Sequence, residues 1–303
     1  MIKLPDTKFS NIFARGGEKV PTSVPCVKPV PGGTTVKVEF NNNIAWVTLN
    51  RPEKRNAMNP TMNDEMLKIL DELETDDRCG VLVLTGAGQS FSAGMDLKEY
   101  FRETFGEPAV RQMQVHRASG AWQWRRLIHY PKPTIAMVNG WCFGGAFTPL
   151  IACDLAIAAD EAQFGLSEIN WGIIPGGNVP RALAEVMNHR NALYYIMTGE
   201  TFDGKKAAAM GLVNESVPLA QLRARTEALA QTLLKKNPTA LRYAKISFKV
   251  IRDVDWDRSE PILAAMSAAH AASDTEHSAR KGLSQFLDEK SFRPGLETYR
   301  RDK

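Results

Sequence analysis

Three short apolar runs limit the folds open to this chain more than any other feature. They are VLVLTGAG (81–88), TIAMVNG (134–140) and CDLAIAA (153–159). Runs of this length without polar alternation are typical of strands that are buried on both faces of a sheet. Helical patterns over 106–128 and 144–152 separate them. The alternation of strand and helix predicts right-handed crossovers, a mostly parallel sheet and an α/β fold.

Two further patterns lie before the first of these runs. The stretch TVKVEFNNNIAWVTLN alternates between apolar and polar residues on either side of Asn41–Asn43, which predicts a β-hairpin with its turn at the asparagines. The stretch MNPTMNDEMLKILDELETDD predicts an amphipathic helix. Its apolar stripe consists of Met62, Met66, Ile69, Leu70 and Leu73.

The patterns also divide the chain along its length. Residues 1–34 end in a stretch rich in proline and glycine, and we interpret them as an irregular N-terminal extension. Residues 35–230 form the predicted α/β core, and residues 231–303 form a helical C-terminal region, since the periodicity is helical from about residue 181 onward. A length of 303 residues suits one large domain, or one domain with a smaller appendage.

Charge and cysteine content exclude several classes of protein. The net charge of +4 is mild and dispersed, which argues against a nucleic-acid partner. The four cysteines, Cys26, Cys79, Cys142 and Cys153, form no C-x-x-C pair and no cluster with zinc-ligand spacing. We therefore expect free thiols in a reducing compartment and no metal site.

The chain also lacks the apolar segments that membranes and secretion require. It contains no run of 18 uncharged apolar residues, so we expect no membrane span and no membrane partner. Residues 1–20 have scattered basic residues but no apolar stretch of the kind found in secretory signals. An organelle-targeting segment and a plain disordered tail remain open for residues 1–20. The expected location is the cytoplasm.

Three loops carry the residues best suited to chemistry. They are FSAGMDLKEYF (91–101), WCFGGAF (141–147) and FGLSEINWGIIPGG (164–177), and ligands in such sheets gather at the carboxyl ends of strands. A glycine at position 145 leaves a backbone N–H open to a substrate carbonyl, and Gly94-Met95 can offer a second. Two convergent N–H groups can form an oxyanion hole. The alternative is that these glycines only permit turns or close packing.

Five motifs in order identify a family. RPEKRNAMNP, SFSAGMDLKEY, KPTIAMVNGWCFGGAF, CDLAIAADEAQFGLSEINWGIIPGG and MTGETFDGKKAAAMGLVNESVP together resemble the crotonase (enoyl-CoA hydratase/isomerase) superfamily, over residues 35 to 298. Within it, GMDLKEYFRE, VNGWCFGGAF and GLSEINWGI are most similar to the hydroxycinnamoyl-CoA hydratase-lyases. The resemblance implies a core of ββα repeats, a helical C-terminal trimerisation region, and a homotrimer or dimer of trimers.

The resemblance also implies roles for single residues. The backbone N–H groups of Met95 and Gly145 would form the oxyanion hole, and Glu168 would be the catalytic acid and base. The other reading of Glu168 is a helix-capping or salt-bridged acid. Thr148 stands where ordinary hydratases of the superfamily carry a second glutamate, so that a single carboxylate would serve every proton transfer.

Further residues would line the substrate. Ser167 and Trp171 would shape the pocket, and Tyr100 would bind the aryl hydroxyl unless it is a simple core tyrosine. The coenzyme A (CoA) portion would lie against a set of five residues, Lys54, Ala57, Ala93, Asp96 and Leu97. For Lys54, the alternative is an ordinary solvated lysine.

The implied reaction is hydration of a 4-hydroxycinnamoyl-CoA thioester, such as feruloyl-CoA, followed by retro-aldol cleavage. The products would be an aromatic aldehyde, such as vanillin, and acetyl-CoA, and no cofactor is required because CoA is part of substrate and product. A plain enoyl-CoA hydratase or isomerase is the alternative, and a crotonase-fold binding protein is a more distant one.

One segment departs from the hydratase-lyase pattern. Those enzymes carry a tyrosine after the tryptophan of a late helix, and it reaches a neighbouring subunit's site. Here no tyrosine occurs from Pro261 to His270, after Trp256. We therefore expect recognition of the aryl ring to differ in part.

Overall fold

The three apolar runs are neighbouring parallel strands of a main sheet, as predicted. The computed structural model describes residues 29–301, and the predicted N-terminal extension lies almost wholly outside them. The strands are β1 (Val36–Asn41), β2 (Ile44–Leu49), β3 (Val81–Gly86), β4 (Ser90–Ser92), β5 (Thr134–Val138), β6 (Trp141–Phe143), β7 (Leu155–Ala159), β8 (Gln163–Gly165), β9 (Thr201–Asp203) and β10 (Glu215–Val217). The main sheet has the order β1-β2-β3-β5-β7-β10. All its pairs are parallel except the β1–β2 hairpin, which forms as predicted.

A second sheet, of the short strands β4-β6-β8-β9, was not expected from the sequence. Each apolar run of the main sheet is followed within a few residues by one short strand, so that β3 precedes β4, β5 precedes β6 and β7 precedes β8. The pairs β4–β6 and β6–β8 are parallel, whereas β8–β9 is antiparallel. The predicted repeat of two strands and a helix is therefore confirmed. The sequence placed the three glycine-containing loops directly after the strands of the main sheet. In the structure they instead follow the short strands of the small sheet.

Helices connect the strand pairs and make up most of the later chain. They are α1 (Pro60–Glu74), α2 (Ala109–Gly120), α3 (Phe147–Ala152), α4 (Val179–Val186), α5 (His189–Thr198), α6 (Gly204–Ala209), α7 (Leu219–Leu234), α8 (Pro238–Ile251), α9 (Trp256–Ser273) and α10 (Ser278–Leu287). Among residues 29–301, no helix combines the length and the apolarity that crossing a bilayer requires.

The predicted first helix has the expected buried face. All five residues of the apolar stripe are buried in α1, together with Asn63. The side chain of Asn59 caps the helix by accepting a hydrogen bond from the Met62 N–H at 2.9 Å. Local sequence thus determines both where this helix begins and which face it buries.

The predicted boundary at residues 230 and 231 falls inside α7, so the division there stays a prediction. Helix α8 is joined to the core through one carboxylate. Asp154 accepts hydrogen bonds from Lys245 at 2.6 Å and from Lys249 at 2.5 Å. Burial lowers the pKa of Lys245, and the Asp154 charge opposes that shift. This ion-pair network links the later helices to the start of β7.

Glu65 on α1 holds the beginning of β1. Its carboxylate accepts hydrogen bonds from the backbone and the hydroxyl of Thr34 and Thr35, and from the Val36 N–H. Burial by itself raises the pKa of Glu65, but the hydrogen bonds from the two threonines outweigh it and lower the pKa below its usual value. The ionised form therefore stabilises the fold.

We expect Glu65→Ala to lower the free energy of unfolding by roughly 1–3 kcal/mol at neutral pH, because several backbone and hydroxyl donors lose their acceptor. Since the folded-state pKa of Glu65 is lowered, its contribution is present at neutral pH and is lost as the pH falls through that pKa. Urea unfolding of the variant and the parent, at neutral pH and at a pH below the folded-state pKa of Glu65, measures this. Glu72→Ala, at an exposed position of the same helix, is the matched control. Equal effects of the two variants would contradict the role given to Glu65.

Candidate active site

The predicted catalytic residues come together because β4, β6 and β8 are adjacent parallel strands. The carboxyl ends of parallel neighbours lie at one edge of a sheet, so the loops that leave them meet there. Met95 follows the end of β4, Gly145 follows the end of β6, and Glu168 follows the end of β8. The small sheet thus collects three loops that are far apart in the sequence.

Met95 has an unused backbone N–H because of how its neighbours pair. The N–H of Met58 donates to the Gly94 carbonyl at 2.8 Å, and the Asp96 N–H donates to the Met58 carbonyl at 3.0 Å. Successive amides of an extended chain point to opposite sides, so the N–H of Met95 faces away from Met58. It donates to no other group in the described part of the chain.

The backbone of Gly145 lies next to that of Met95. A Cβ added to Gly94, which has φ +88°, would lie 3.0 Å from the Gly145 nitrogen and 2.6 Å from the Phe143 carbonyl oxygen. A Cβ added to Gly145 would lie 3.6 Å from the Met95 nitrogen. Only glycine at position 94 allows this approach. The two amides predicted to form the oxyanion hole are therefore close together.

Glu168, in the third loop, lies beside Gly144, the residue that precedes Gly145. It lies in the 3₁₀ turn Ser167–Trp171, and a Cβ added to Gly144 would be 2.9 Å from its Oε1. Its Oε2 is buried and has no hydrogen-bond partner among residues 29–301. Burial raises the pKa of Glu168. A carboxyl group that is half-buried and has no ion-pair partner in the described part of the chain suits proton transfer.

The burial of Glu168 also predicts that its ionised carboxylate lowers the stability of the fold at neutral pH. Because the folded-state pKa of Glu168 is raised, stability falls as the pH rises from the unfolded value through the folded one. We expect Glu168→Gln to unfold at a higher temperature than the parent at neutral pH, and this difference to disappear below about pH 4, the ordinary pKa of glutamate. Thermal unfolding at both pH values tests this, with the exposed Glu72→Gln as control. If the two unfolding temperatures differ by the same amount at neutral pH and below about pH 4, the pKa of Glu168 is not raised.

Thr148 is placed differently from what its predicted role suggests. It lies on α3 with 1% of its surface exposed. Its hydroxyl donates to the Gly177 carbonyl at 2.7 Å, in the segment that follows the turn of Glu168. The hydroxyl oxygen can still accept a hydrogen bond from a substrate or water, but its proton is already used. The predicted substrate contact stays a prediction.

We expect Thr148→Val to lower the free energy of unfolding by about 0.5–1.5 kcal/mol, because its hydrogen bond to the Gly177 carbonyl is lost. Thr148→Ser retains the hydroxyl and should cost less. Urea unfolding of the two variants and the parent measures the difference. Valine and serine variants of equal stability would remove this hydrogen bond as the cause.

The remaining predicted substrate residues differ in exposure. Tyr100 lies in the π-helical turn Leu97–Arg102 with 6% of its surface exposed, and its hydroxyl is 2.8 Å from Nδ1 of His116. Ser167 is half-buried, and Trp171 is 67% exposed. No ligand is needed to hold Tyr100 in place, whereas Trp171 lies open at the surface.

The family model for enoyl-CoA hydratase/isomerase matches residues 39–294, which is most of the chain and includes all three loops. The chain belongs to the enoyl-CoA hydratase/isomerase family. The superfamily predicted from the motifs is therefore confirmed.

Individual relatives agree with the family assignment. The chain is 60% identical over 267 residues to a hydroxycinnamoyl-CoA hydratase-lyase of Pseudomonas fluorescens, covering 88% of this chain and 97% of that protein. It is 32% identical over 257 residues to a probable enoyl-CoA hydratase of Mycobacterium bovis, covering 85% of this chain and 96% of that protein. Its fold is similar to the crystal structure of an enoyl-CoA hydratase from Shewanella pealeana, with a TM-score of 0.75 and 27% sequence identity. The similarity covers 84% of this chain and 94% of that one.

Three of the CoA-binding residues predicted for this family member lie together. The Ala93 N–H donates to the Arg55 carbonyl at 2.8 Å, and the Ala57 N–H donates to the Lys54 carbonyl at 3.0 Å. The loop after β4 thus runs beside the turn after β2. Lys54 is exposed, so its ammonium group is free to meet a phosphate.

The other two predicted CoA residues have contrasting surroundings. Asp96 is buried, and its carboxylate binds Arg51 at 2.9 Å and caps the π-helical turn through the N–H groups of Lys98 and Glu99. Leu97 is 53% exposed. The Asp96 side chain is therefore occupied within the protein, and the predicted contact of this residue with CoA stays a prediction.

Arg51 organises this part of the site, and sequence reasoning did not identify it. Besides Asp96, its guanidinium donates to the Ala57 carbonyl at 2.7 Å and to Glu99 at 2.6 Å. The arginine precedes a proline in a polar turn, where no periodic pattern indicates burial. Its partners are 6 to 48 residues away, so only the tertiary contact makes it a structural residue.

In the described range no group of three or more histidine, cysteine, aspartate or glutamate side chains is arranged to hold a metal ion. Cys79, Cys142 and Cys153 are buried free thiols, and burial raises the pKa of each. Cys26 lies outside the described residues.

Proposed function

We propose that this chain hydrates a 4-hydroxycinnamoyl-CoA thioester, such as feruloyl-CoA, and cleaves the product to an aromatic aldehyde and acetyl-CoA. The observation that carries the proposal is the single Glu168 carboxyl group beside Gly144, next to the adjacent amides of Met95 and Gly145. The 60% identity to a hydroxycinnamoyl-CoA hydratase-lyase supports the substrate class.

The first half of the reaction adds water. The thioester oxygen accepts hydrogen bonds from the Met95 and Gly145 N–H groups, which stabilise the enolate that forms. The Glu168 carboxylate takes a proton from water as the water oxygen bonds to Cβ. The carboxyl group then gives that proton to Cα, which yields the β-hydroxyacyl-CoA and regenerates the carboxylate.

The second half breaks the carbon–carbon bond with the same residue. Glu168 takes the proton of the β-hydroxyl, the Cα–Cβ bond breaks, and its electron pair moves to the thioester as an enolate held by the two amides. The protonated Glu168 then protonates Cα, which releases acetyl-CoA, while Cβ becomes the aldehyde carbon. A raised pKa suits a group that must alternate between acid and base.

Incubation with feruloyl-CoA tests the proposal directly. Separation of the products should show vanillin and acetyl-CoA in equal amounts. Accumulation of the β-hydroxyacyl-CoA without aldehyde would favour the plain hydratase, and no turnover of any enoyl-CoA would favour a binding protein. Glu168→Gln is the control for background reaction of the thioester.

We propose a homotrimer or dimer of trimers in the cytoplasm, with residues 231–303 as the contact region. Large apolar side chains on the later helices support association, since Phe248 is 64% exposed and Trp256 is 91% exposed. The buried free thiols of Cys79, Cys142 and Cys153 support the location. The apparent mass in solution, compared with 33.6 kDa for one chain, tests the assembly.

A further inference from the structure

Tyr100 is held by a histidine that neither the motifs nor the family assignment identifies. The tyrosine hydroxyl lies 2.8 Å from Nδ1 of His116, and the two rings meet edge to face with centroids 5.3 Å apart. His116 lies on α2, three residues before Ser119, so both side chains are on one face of that helix. A buried phenol is therefore connected to an imidazole that is exposed to solvent.

One of the two possible directions of this hydrogen bond, from the Tyr100 hydroxyl to Nδ1, leaves the tyrosine oxygen able to accept from a ligand. Burial raises the pKa of Tyr100, and a hydrogen bond from the Ser119 hydroxyl opposes that shift. The tyrosine therefore stays protonated at neutral pH, and its O–H can donate to Nδ1 of a neutral imidazole. A lone pair of the tyrosine oxygen is then available to accept a hydrogen bond from a second phenol.

We propose that His116 accepts the proton of the substrate's 4-hydroxyl group through Tyr100. This inference rests on the proposed function for the identity of that substrate, and on the predicted contact between its hydroxyl group and Tyr100. The substrate's phenolic proton moves to the Tyr100 oxygen as the Tyr100 proton moves to Nδ1 of His116. The result is a substrate phenolate, an unchanged tyrosine and an imidazolium, whose exposed ring can return the proton to water.

This transfer has a chemical purpose in the proposed reaction. A phenolate at the 4-position donates electron density through the ring toward Cβ, which favours a quinone methide and so both water addition and cleavage. A buried site disfavours an isolated charge, so a nearby acceptor for the proton lowers the cost of ionisation. The ligand class is a 4-hydroxyaryl group whose hydroxyl can ionise, and a 4-methoxyaryl group cannot take part.

The test compares His116→Asn with the parent and with His129→Asn, an exposed histidine of the following segment. The asparagine oxygen can still accept the Tyr100 hydrogen bond but cannot take a proton. With feruloyl-CoA we expect kcat to fall roughly tenfold to a hundredfold with little change in KM. His129→Asn should match the parent. An unchanged kcat in His116→Asn would overturn the inference.

A binding measurement separates this inference from the proposed function. The phenolate of 4-hydroxybenzaldehyde absorbs at longer wavelength than its phenol, so its ultraviolet spectrum reports ionisation when it is bound. We expect the parent to ionise the bound aldehyde, and His116→Asn and Tyr100→Phe to bind it as the neutral phenol. The double variant should resemble Tyr100→Phe alone.

The outcomes are distinguishable. Parent protein that ionises the aldehyde but does not cleave feruloyl-CoA would contradict the proposed function and leave the role of His116 supported. Parent protein that cleaves feruloyl-CoA but binds the aldehyde only as a phenol, or ionises it equally well in His116→Asn, would overturn the inference alone. Absence of aldehyde binding to the parent would also overturn it.

Discussion

Glu168→Gln is expected to lower kcat with feruloyl-CoA by on the order of a hundredfold or more, because glutamine cannot take or give a proton. The effect should be large because Glu168 acts in all four proton transfers at water, Cα and the β-hydroxyl in the proposed hydration and cleavage. Its Oε2 has no hydrogen-bond partner among residues 29–301, so this oxygen loses no hydrogen bond in the variant. Binding of acetyl-CoA should change little.

The measurement is single-turnover formation of β-hydroxyacyl-CoA and aldehyde, with acetyl-CoA affinity measured separately. Glu161→Gln, an exposed glutamate just before β8, controls for a general loss of negative charge. If Glu168→Gln hydrates at the parental rate and loses only the aldehyde, a second group must activate the water. If it retains both activities, the single-carboxyl mechanism is wrong.

Gly94→Ala should lower kcat/KM by roughly a hundredfold to a thousandfold, the cost of losing an oxyanion donor. The added methyl group would lie 2.6 Å from the Phe143 carbonyl oxygen and 3.0 Å from the Gly145 nitrogen. Both neighbours are backbone atoms, so the loops must move apart. The amides of Met95 and Gly145 would then no longer reach one oxygen.

The control for Gly94→Ala is Gly295→Ala. Gly295 has the same φ of +88°, but nothing lies within 4 Å of its added Cβ. It therefore carries the backbone cost of a positive φ without the collision. Circular dichroism and thermal unfolding of both variants show whether the folded state persists. Equal activity losses in the two variants would attribute the effect to backbone conformation, and parental activity in Gly94→Ala would refute the oxyanion hole at this place.

Local sequence determined the elements whose apolar pattern lies within one short segment. The stripe of α1, the β1–β2 hairpin and the three apolar strands were all predicted, because each depends on which residues of a short segment face the core. The family followed from motif order over most of the chain, and the family model confirms it. The resemblance carried by the same motifs identifies Glu168, Met95 and Gly145 as candidates by residue type and position alone.

The small sheet could not be predicted from the same patterns. Its strands have only three residues each, too few to show a period. Yet these strands decide which loops meet, because their parallel pairing places three carboxyl ends side by side. Tertiary structure also decided that the Thr148 hydroxyl donates its hydrogen bond to the Gly177 carbonyl.

The sequence by itself therefore determined the α/β class, the family and the identity of the candidate catalytic groups, since these depend on residue type and order. Only the tertiary structure decided which backbone amides lack a partner, that Arg51 is buried among Asp96 and Glu99, and that His116 contacts Tyr100. Those facts depend on pairs of residues brought together by strand pairing and helix packing. No local period records such pairs, because neither partner differs from an ordinary polar residue within its own segment.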